Sequence, residues 1–277
     1  MLLHKEREFD MKIGVGIIAF EEEEYIKSLL DNWYPYADNI VVMEGAWVSA
    51  AKIFGYDTSK DRTKEIVMEY PDPDKKIIFV HMSSSNQVSQ LNYCYHHTLR
   101  KKPDWYVMSG ADEFYHEDDL KDLDDILSHI PKQAISLQIP MRLIWNDFYH
   151  YEKQTARRFT KCAYAKNVCD LSRFSNRKKK IIEPVSYNLP VMYHPSYVRV
   201  DTSRFKKKVD FRKKDGSSGA MNHYAENGII YRGTCTKEQW LPRLQKHDRY
   251  FLPEALRNHP NANKYWDTEK GSIKWVK

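Results

Sequence analysis

Carboxylates bunched where an apolar run stops are the first hint of chemistry in this chain. Asp104 to Glu113 reads DWYVMSGADE and continues as FYHEDDL. Trp105 to Met108 has the composition of a buried strand, which delivers Asp112 and Glu113 at its end. Hard oxygen ligands in that position suit Mg2+ or Mn2+ held together with a phosphate-bearing substrate. The competing reading is a solvated acidic turn that caps the next helix. Asp112 to Asp125 holds eight acids, and most of them belong to that surface. His194, in Met192–Tyr197 (MYHPSY), offers an imidazole that can complete a Mn2+ shell on a carboxylate site. An ordinary strand-end histidine is the alternative, and His223 in NHYA is a weaker competitor.

Two basic stretches offer a different chemistry. Arg177 to Lys180 is RKKK, and Arg204 to Lys214 holds seven basic residues against one Asp. They fit nucleic acid, a phosphate-rich substrate or an anionic membrane surface. A solvated loop is the commoner explanation, and no nucleic-acid-binding motif accompanies them. No GxSxG, Walker loop or HExxH is present, so the classes built on those motifs lose support.

The elements that must position these residues follow from periodicity. Lys12–Phe20 (KIGVGIIAF) is a near-continuous apolar run, as a central strand should be. Glu21 to Glu24 follow, where acids favour the first turn of a helix. Tyr25, Ile26, Leu29, Leu30 and Trp33 then recur at helical spacing up to Pro35. Asn39–Met43 is a second strand, Asp61–Tyr70 a short helix, Lys76–Val80 a third strand, Ser83–Arg100 a helix and Trp105–Met108 the fourth strand. Ala134–Pro140 is a further strand that Met141–Tyr149 extends or pairs with. The alternation predicts an α/β fold: a mostly parallel sheet covered by helices on both faces. Ligands bind such sheets beyond the carboxyl ends of the strands. That directs attention to Phe20–Glu21, Glu44–Gly45, His81–Met82 and Ser109–Glu113.

Four segments, taken in order, resemble the nucleotide-sugar-binding half of a GT-A glycosyltransferase, nearest to family 2. IGVGIIAFEEEEYIKSLL resembles the family's opening strand, N-E-E turn and helix. NIVVMEGAW followed by DTSKDRTKEIV resembles its I-V-V-D and S-x-D-x-T segment. SQLNYCYHHTLRKKPDWYVMSGADEF resembles its Q-R-N to D-A-D-E stretch, and MYHPSYVR a later His-containing strand. The match covers roughly residues 12–125 well and 190–200 loosely. Two departures stand out. The family's D-x-D reads Gly110–Ala111–Asp112, which lacks the first Asp but keeps the last. The second-strand Asp is Glu44, one methylene longer.

The resemblance implies a single GT-A domain, with residues 1–125 as the nucleotide-sugar half and 126–277 as the acceptor half. It implies transfer of a sugar from a UDP-, GDP- or dTDP-sugar to a glycan, lipid-linked or protein hydroxyl, using Mn2+ or Mg2+. Asp112 would hold the cation, with His194 as second ligand. Ala19, Phe20 and Glu44 would meet the nucleoside, and Glu21 the ribose. Gln90, Asn92, Gly110 and Ala111 would line the phosphates. Arg157, Arg158 or a lysine of Arg204–Lys214 would offset their charge, and Arg204–Gly219 would close over bound donor. Inversion needs a carboxylate base. No E-D motif supplies one. Asp147 in IWND, which follows a predicted strand and aromatics that could stack on sugar, is the candidate. A turn-capping aspartate is the commoner reading of that position, and Glu113 and Glu183 are the other acids open to the role.

Composition narrows the rest. A net charge of +6 with 42% hydrophobic and 30% charged residues is a globular balance that rules out wholesale disorder. No apolar run is long enough for a membrane span, and the charged N-terminus is unlike a secretory signal. Cys94, Cys162, Cys169 and Cys235 include no CxxC pair, so free thiols in the cytoplasm are expected, with membrane contact limited to the basic loop. The other readings are a metal-dependent nucleotide-sugar phosphohydrolase, a basic nucleic-acid-binding protein and a transferase that binds without reacting.

Overall fold

β1 (Ile13–Ala19) is buried along almost its whole length, as its unbroken apolar run requires. The computed structural model describes residues 11–131, 134, 136–162, 181–182, 189–199, 223–226, 229–232, 236–270 and 272–275. The Arg177–Lys180 and Arg204–Gly219 stretches, Glu183, Cys169 and Cys235 lie outside the described residues. Cys94 and Cys162 are free thiols.

α1 (Ile26–Trp33) buries Ile26, Leu29, Leu30 and Trp33 on one side. β2 (Asn39–Glu44) is wholly buried. α2 (Val48–Phe54) occupies what reads as a polar connection. Gly55, at φ 81°, ends α2 by donating its N–H to Ala51 O, a left-handed cap that suits glycine. Then come α3 (Thr63–Met68), β3 (Ile77–His81), α4 (Gln87–Leu99) and β4 (Trp105–Gly110). Asn86 starts α4 by accepting from Ser89 N at 2.9 Å. Gly14 and Gly16 let α4 lie close on β1: a Cβ at Gly16 would sit 2.9 Å from Cys94 Sγ, and one at Gly14 2.5 Å from Thr98 Cγ2.

β5 (Phe114–Tyr115) precedes α5 (Glu117–Lys121) and α6 (Leu123–Ser128). The acids of the 117–125 run fill the first turns of these two helices, so the surface-cap reading holds for them. β6 (Ser136–Trp145) takes in the first half of the Met141–Tyr149 stretch, a turn follows, and β7 (His150–Lys161) returns antiparallel. β8 (Ile181–Ile182), β9 (Met192–Tyr197), β10 (His223–Glu226), β11 (Ile229–Arg232), α7 (Lys237–Trp240), β12 (Gln245–Lys246), α8 (Glu254–Arg257), β13 (Lys264–Asp267) and β14 (Ser272–Trp275) complete the described elements.

The fold is α/β. Ten strands form one mixed sheet: eight follow the path β3-β2-β1-β4-β7-β6-β9-β5, β12 pairs with β7 and β8 pairs with β6. β3, β2, β1 and β4 run parallel, while β7 joins β4 and β6 antiparallel. The chain steps outward from β1 to β3 and then crosses back to place β4 on the other side of β1. A crevice opens where that order reverses. Trp145 stacks on Tyr197 with centroids 3.9 Å apart and meets Trp240 edge-on at 4.7 Å, and Trp240 in turn stacks on Trp266. These rings fasten the C-terminal segment to the sheet. No helix among the described residues is long and apolar enough to cross a membrane.

Candidate active site

A cavity of about 580 Å3 lies at the carboxyl ends of β1 and β4, within the roughly 300–1,000 Å3 of small-molecule sites. One end is aromatic. Phe20 meets Phe54 edge-on at 5.2 Å and Tyr56 at 5.9 Å, and Trp47 adds a fourth ring to the lining. The other end is charged, with Asp112, Glu113, Arg158, His194 and Arg199 all in its wall.

Asp112 is the hub of that end and is 5% exposed. Its Oδ2 accepts from Arg199 Nη2 at 2.8 Å and from Ser196 Oγ at 3.2 Å. Its Oδ1 stands 3.3 Å from His194 Nε2. Two atoms about 2.1 Å from one ion, in adjacent octahedral positions, sit roughly 3 Å apart. The 3.3 Å separation is a direct His–Asp contact, and it is also close to the spacing that two ligands of one divalent cation would have. Among the described residues no group of three or more His, Cys, Asp or Glu could hold a metal. The other positions would fall to substrate oxygens and water, as is common for small hard cations.

Arg199 follows β9 and is buried. Its Nη1 donates to Glu22 Oε2 at 2.8 Å, so one guanidinium ties the turn after β1 to the turn after β4. Burial works against its charge, but Glu22 and Asp112 outweigh this and raise its pKa above the ordinary arginine value. Tyr25 lies beneath it, with the guanidinium 4.7 Å from the ring centroid. Tyr25 in turn stacks on His259 at 4.6 Å, and Lys264 holds the Arg199 carbonyl. The C-terminal segment thus buttresses the site. The acids Glu21–Glu24 are not the first turn of α1, which contains no acid. Glu22 turns inward to Arg199, and Glu24 Oε1 accepts from Asn261 Nδ2 at 2.6 Å.

Glu113 is clamped by Arg158, whose Nε and Nη2 reach its two oxygens at 2.6 and 2.5 Å. Arg158 is aimed there by a register shift. Leu137 faces Phe159 and Gln138 faces Arg157, which leaves Arg158 as the extra residue of a bulge, the usual way a strand redirects one side chain. Burial opposes the Arg158 charge, and Glu113 more than restores it, so its pKa is raised.

The other expected residues divide. Ala19, Phe20, Glu21, Gln90, Gly110 and Ala111 line the cavity with Asp112, Glu113, Arg158 and His194. Glu44, Asn92 and Asp147 do not. Glu44 is wholly buried; its oxygens meet Ser59 N and His81 Nδ1, each at 2.7 Å, so its extra methylene folds it under the 57–61 loop. Asn92 lies two residues past Gln90 on α4, and residues so spaced face different sides of a helix. Asp147 is fully buried and accepts from Tyr149 N and His150 N at 2.9 Å, from the His150 ring, and from Trp266 N at 2.6 Å. It braces the β6–β7 turn and pins β13, and it cannot reach the cavity. Arg157 and His223 are described only along their backbones. Arg199 and Ser196 went unread in the sequence. The basic residue closing MYHPSYVR was a signal, but nothing local points to partners 87 and 177 positions away.

No family model and no curated protein matches the chain. Solved structures do. A crystal structure of S. aureus TarS 1-349 in complex with UDP is 18% identical, with 48% of this chain and 36% of that chain covered and a TM-score of 0.37. S. aureus TarS is 13% identical over 76% of this chain and 40% of that chain, with a TM-score of 0.43. The mannosyltransferase PcManGT from Pyrobaculum calidifontis, in complex with GDP-Man and Mn2+, is 16% identical over 76% of this chain and 66% of that one, with a TM-score of 0.48. The chain thus spans well under half the length of the two TarS chains.

Proposed function

We propose that the protein is a metal-assisted, inverting glycosyltransferase that moves a sugar from a nucleoside diphosphate to a hydroxyl acceptor. The observation that carries this reading is Asp112 Oδ1 facing His194 Nε2 across 3.3 Å, at the charged end of a cavity whose other end is aromatic. The GT-A resemblance of the motifs points to the same chemistry.

The aromatic end, with Phe20 at its centre, suits a base. Glu21 and Asp61, with the 57–61 loop that Glu44 braces, suit the ribose. The diphosphate then lies against Gly110, Ala111 and Asp112. Gly110 has no side chain there, and a Cβ would come 3.2 Å from Asp112 Oδ1, so the backbone can approach the phosphates. A divalent cation held by Asp112 and His194 would supply positive charge to the leaving diphosphate. Arg199 fixes the other oxygen of Asp112, so the carboxylate presents a single defined lone-pair face. Of the acids considered as base, Glu113 lines the cavity, and we assign it the acceptor proton, with Arg158 holding its rotamer. Both assignments are part of the proposal.

Calorimetric titration of UDP, GDP and dTDP with and without Mn2+ tests it, followed by turnover of the matching nucleotide sugars with and without hydroxyl acceptors. The reading predicts saturable binding of one nucleotide, strengthened by Mn2+, and sugar transfer that needs an acceptor. Sugar release that proceeds equally without acceptor would show a hydrolase instead. Absence of any nucleotide binding would reject both.

A further inference from the structure

A second cavity, of about 750 Å3, shares no lining residue with the first. Neighbouring side chains of a strand leave opposite faces of the sheet. His194 enters the first cavity, whereas Tyr193 lies under the guanidinium of Arg142, which lines the second. The two hollows therefore belong to opposite sides of β9.

Arg142 is fixed. Its guanidinium lies 5.0 Å from the ring centroids of both Tyr151 and Tyr193, and its Nη1 is buried with no acceptor among the described residues. Two of the hydroxyls around it are already engaged: Tyr149 donates to Ala262 O at 2.8 Å, and Tyr151 to Gln245 Oε1 at 3.0 Å. Lys246 and Asp248 bring one charge of each sign to the lining. Burial, then the Arg142 charge, press the His247 pKa down to about 4, so that ring is neutral near pH 7. The net charge of the wall is that of Arg142. On the rim stand Tyr250 and Phe251, 85% and 58% exposed, an unusual outlay of aromatic surface to water.

Exposed ring faces beside an immobilised guanidinium match a ligand with apolar C–H faces and an acid group. Aromatic faces pack on such surfaces, and arginine takes carboxylate or phosphate oxygens in pairs. We propose that this cavity is a binding site for an acidic saccharide, one bearing uronate carboxylates or phosphate esters, separate from the nucleotide cavity. It stands whether or not the first cavity takes nucleotide.

The test is calorimetric titration of the full chain with trigalacturonate, mannose 6-phosphate, neutral maltotriose and a uridylate hexamer. The expected result is binding of trigalacturonate or mannose 6-phosphate, the stronger arm identifying the acid group, with maltotriose about tenfold weaker or worse. Replacing the rim rings together, Tyr250→Ala with Phe251→Ala, should weaken the acidic sugar about tenfold. Because both side chains are exposed, the fold should be unaffected. Arg142→Gln should erase the preference for acidic over neutral sugar. No heat from either acidic sugar, equal binding of maltotriose, indifference to the rim replacement, tighter binding of uridylate, or competition by UDP would each overturn the proposal.

Discussion

Arg199 donates to Asp112 at 2.8 Å while its other terminal nitrogen reaches Glu22 at 2.8 Å. All three groups are buried. Removing one partner of a buried ion cluster strands the others, at a cost of about 3–5 kcal/mol. Arg199→Met should therefore lower unfolding stability by that much, measured by urea denaturation. Arg199→Lys should recover only part of it, since one ammonium cannot serve both carboxylates in the same geometry.

On the proposed assignment, Glu113 serves the chemistry and not nucleotide binding. Glu113→Gln keeps the size of the side chain but removes the charge that Arg158 pairs with, so a melting curve first establishes that the variant is folded. The expected outcome is nucleotide affinity within about threefold of wild type and transfer down by about 100-fold or more, the usual scale for a lost general base. Affinity and turnover falling in step would move the base elsewhere.

Asp147 supports structure. It satisfies three backbone N–H groups and the His150 ring from a fully buried position. Asp147→Ala leaves those donors unpaired and should cost about 3 kcal/mol or more, seen as a lower melting temperature. The nucleotide affinity of the folded fraction should not change.

His247 makes stability depend on pH. Its folded pKa, about 4, lies below the ordinary value of 6.5. The unfolded chain thus binds more protons between those limits, and stability rises with pH across the window. It is complete above about pH 6.5 and lost progressively toward pH 4, by at most about 3 kcal/mol. His247→Asn should flatten the urea-midpoint profile over that range. Parallel profiles for the two proteins would contradict the shift.

How much of this was legible in the sequence depends on the distance over which the signal acts. The strands of the first half announce themselves because a strand buried on both faces must be apolar along its buried length, and Ile13–Phe20, Ile40–Met43 and Trp105–Met108 are. The placement of Asp112 at a strand end follows from the same logic. α2 was missed because Val48–Phe54 is short and opens only three residues after β2. Asp147 stays open between base and turn cap in the sequence because an aspartate after a strand looks alike in both roles; the arrival of Trp266 from the far end of the chain favours the cap. The Arg158 bulge and the Arg199 bridge are tertiary facts with no local pattern.

The central claim is that Asp112 and His194 grip one divalent cation beside a nucleoside diphosphate at the ends of β1 and β4. Diffraction from crystals soaked with UDP and Mn2+, collected at a wavelength where manganese scatters anomalously, tests it most directly. The account predicts one anomalous peak within bonding distance of Asp112 Oδ1 and His194 Nε2, with diphosphate density against Gly110 and Ala111. A peak elsewhere, or nucleotide bound on another face of the protein, would contradict it.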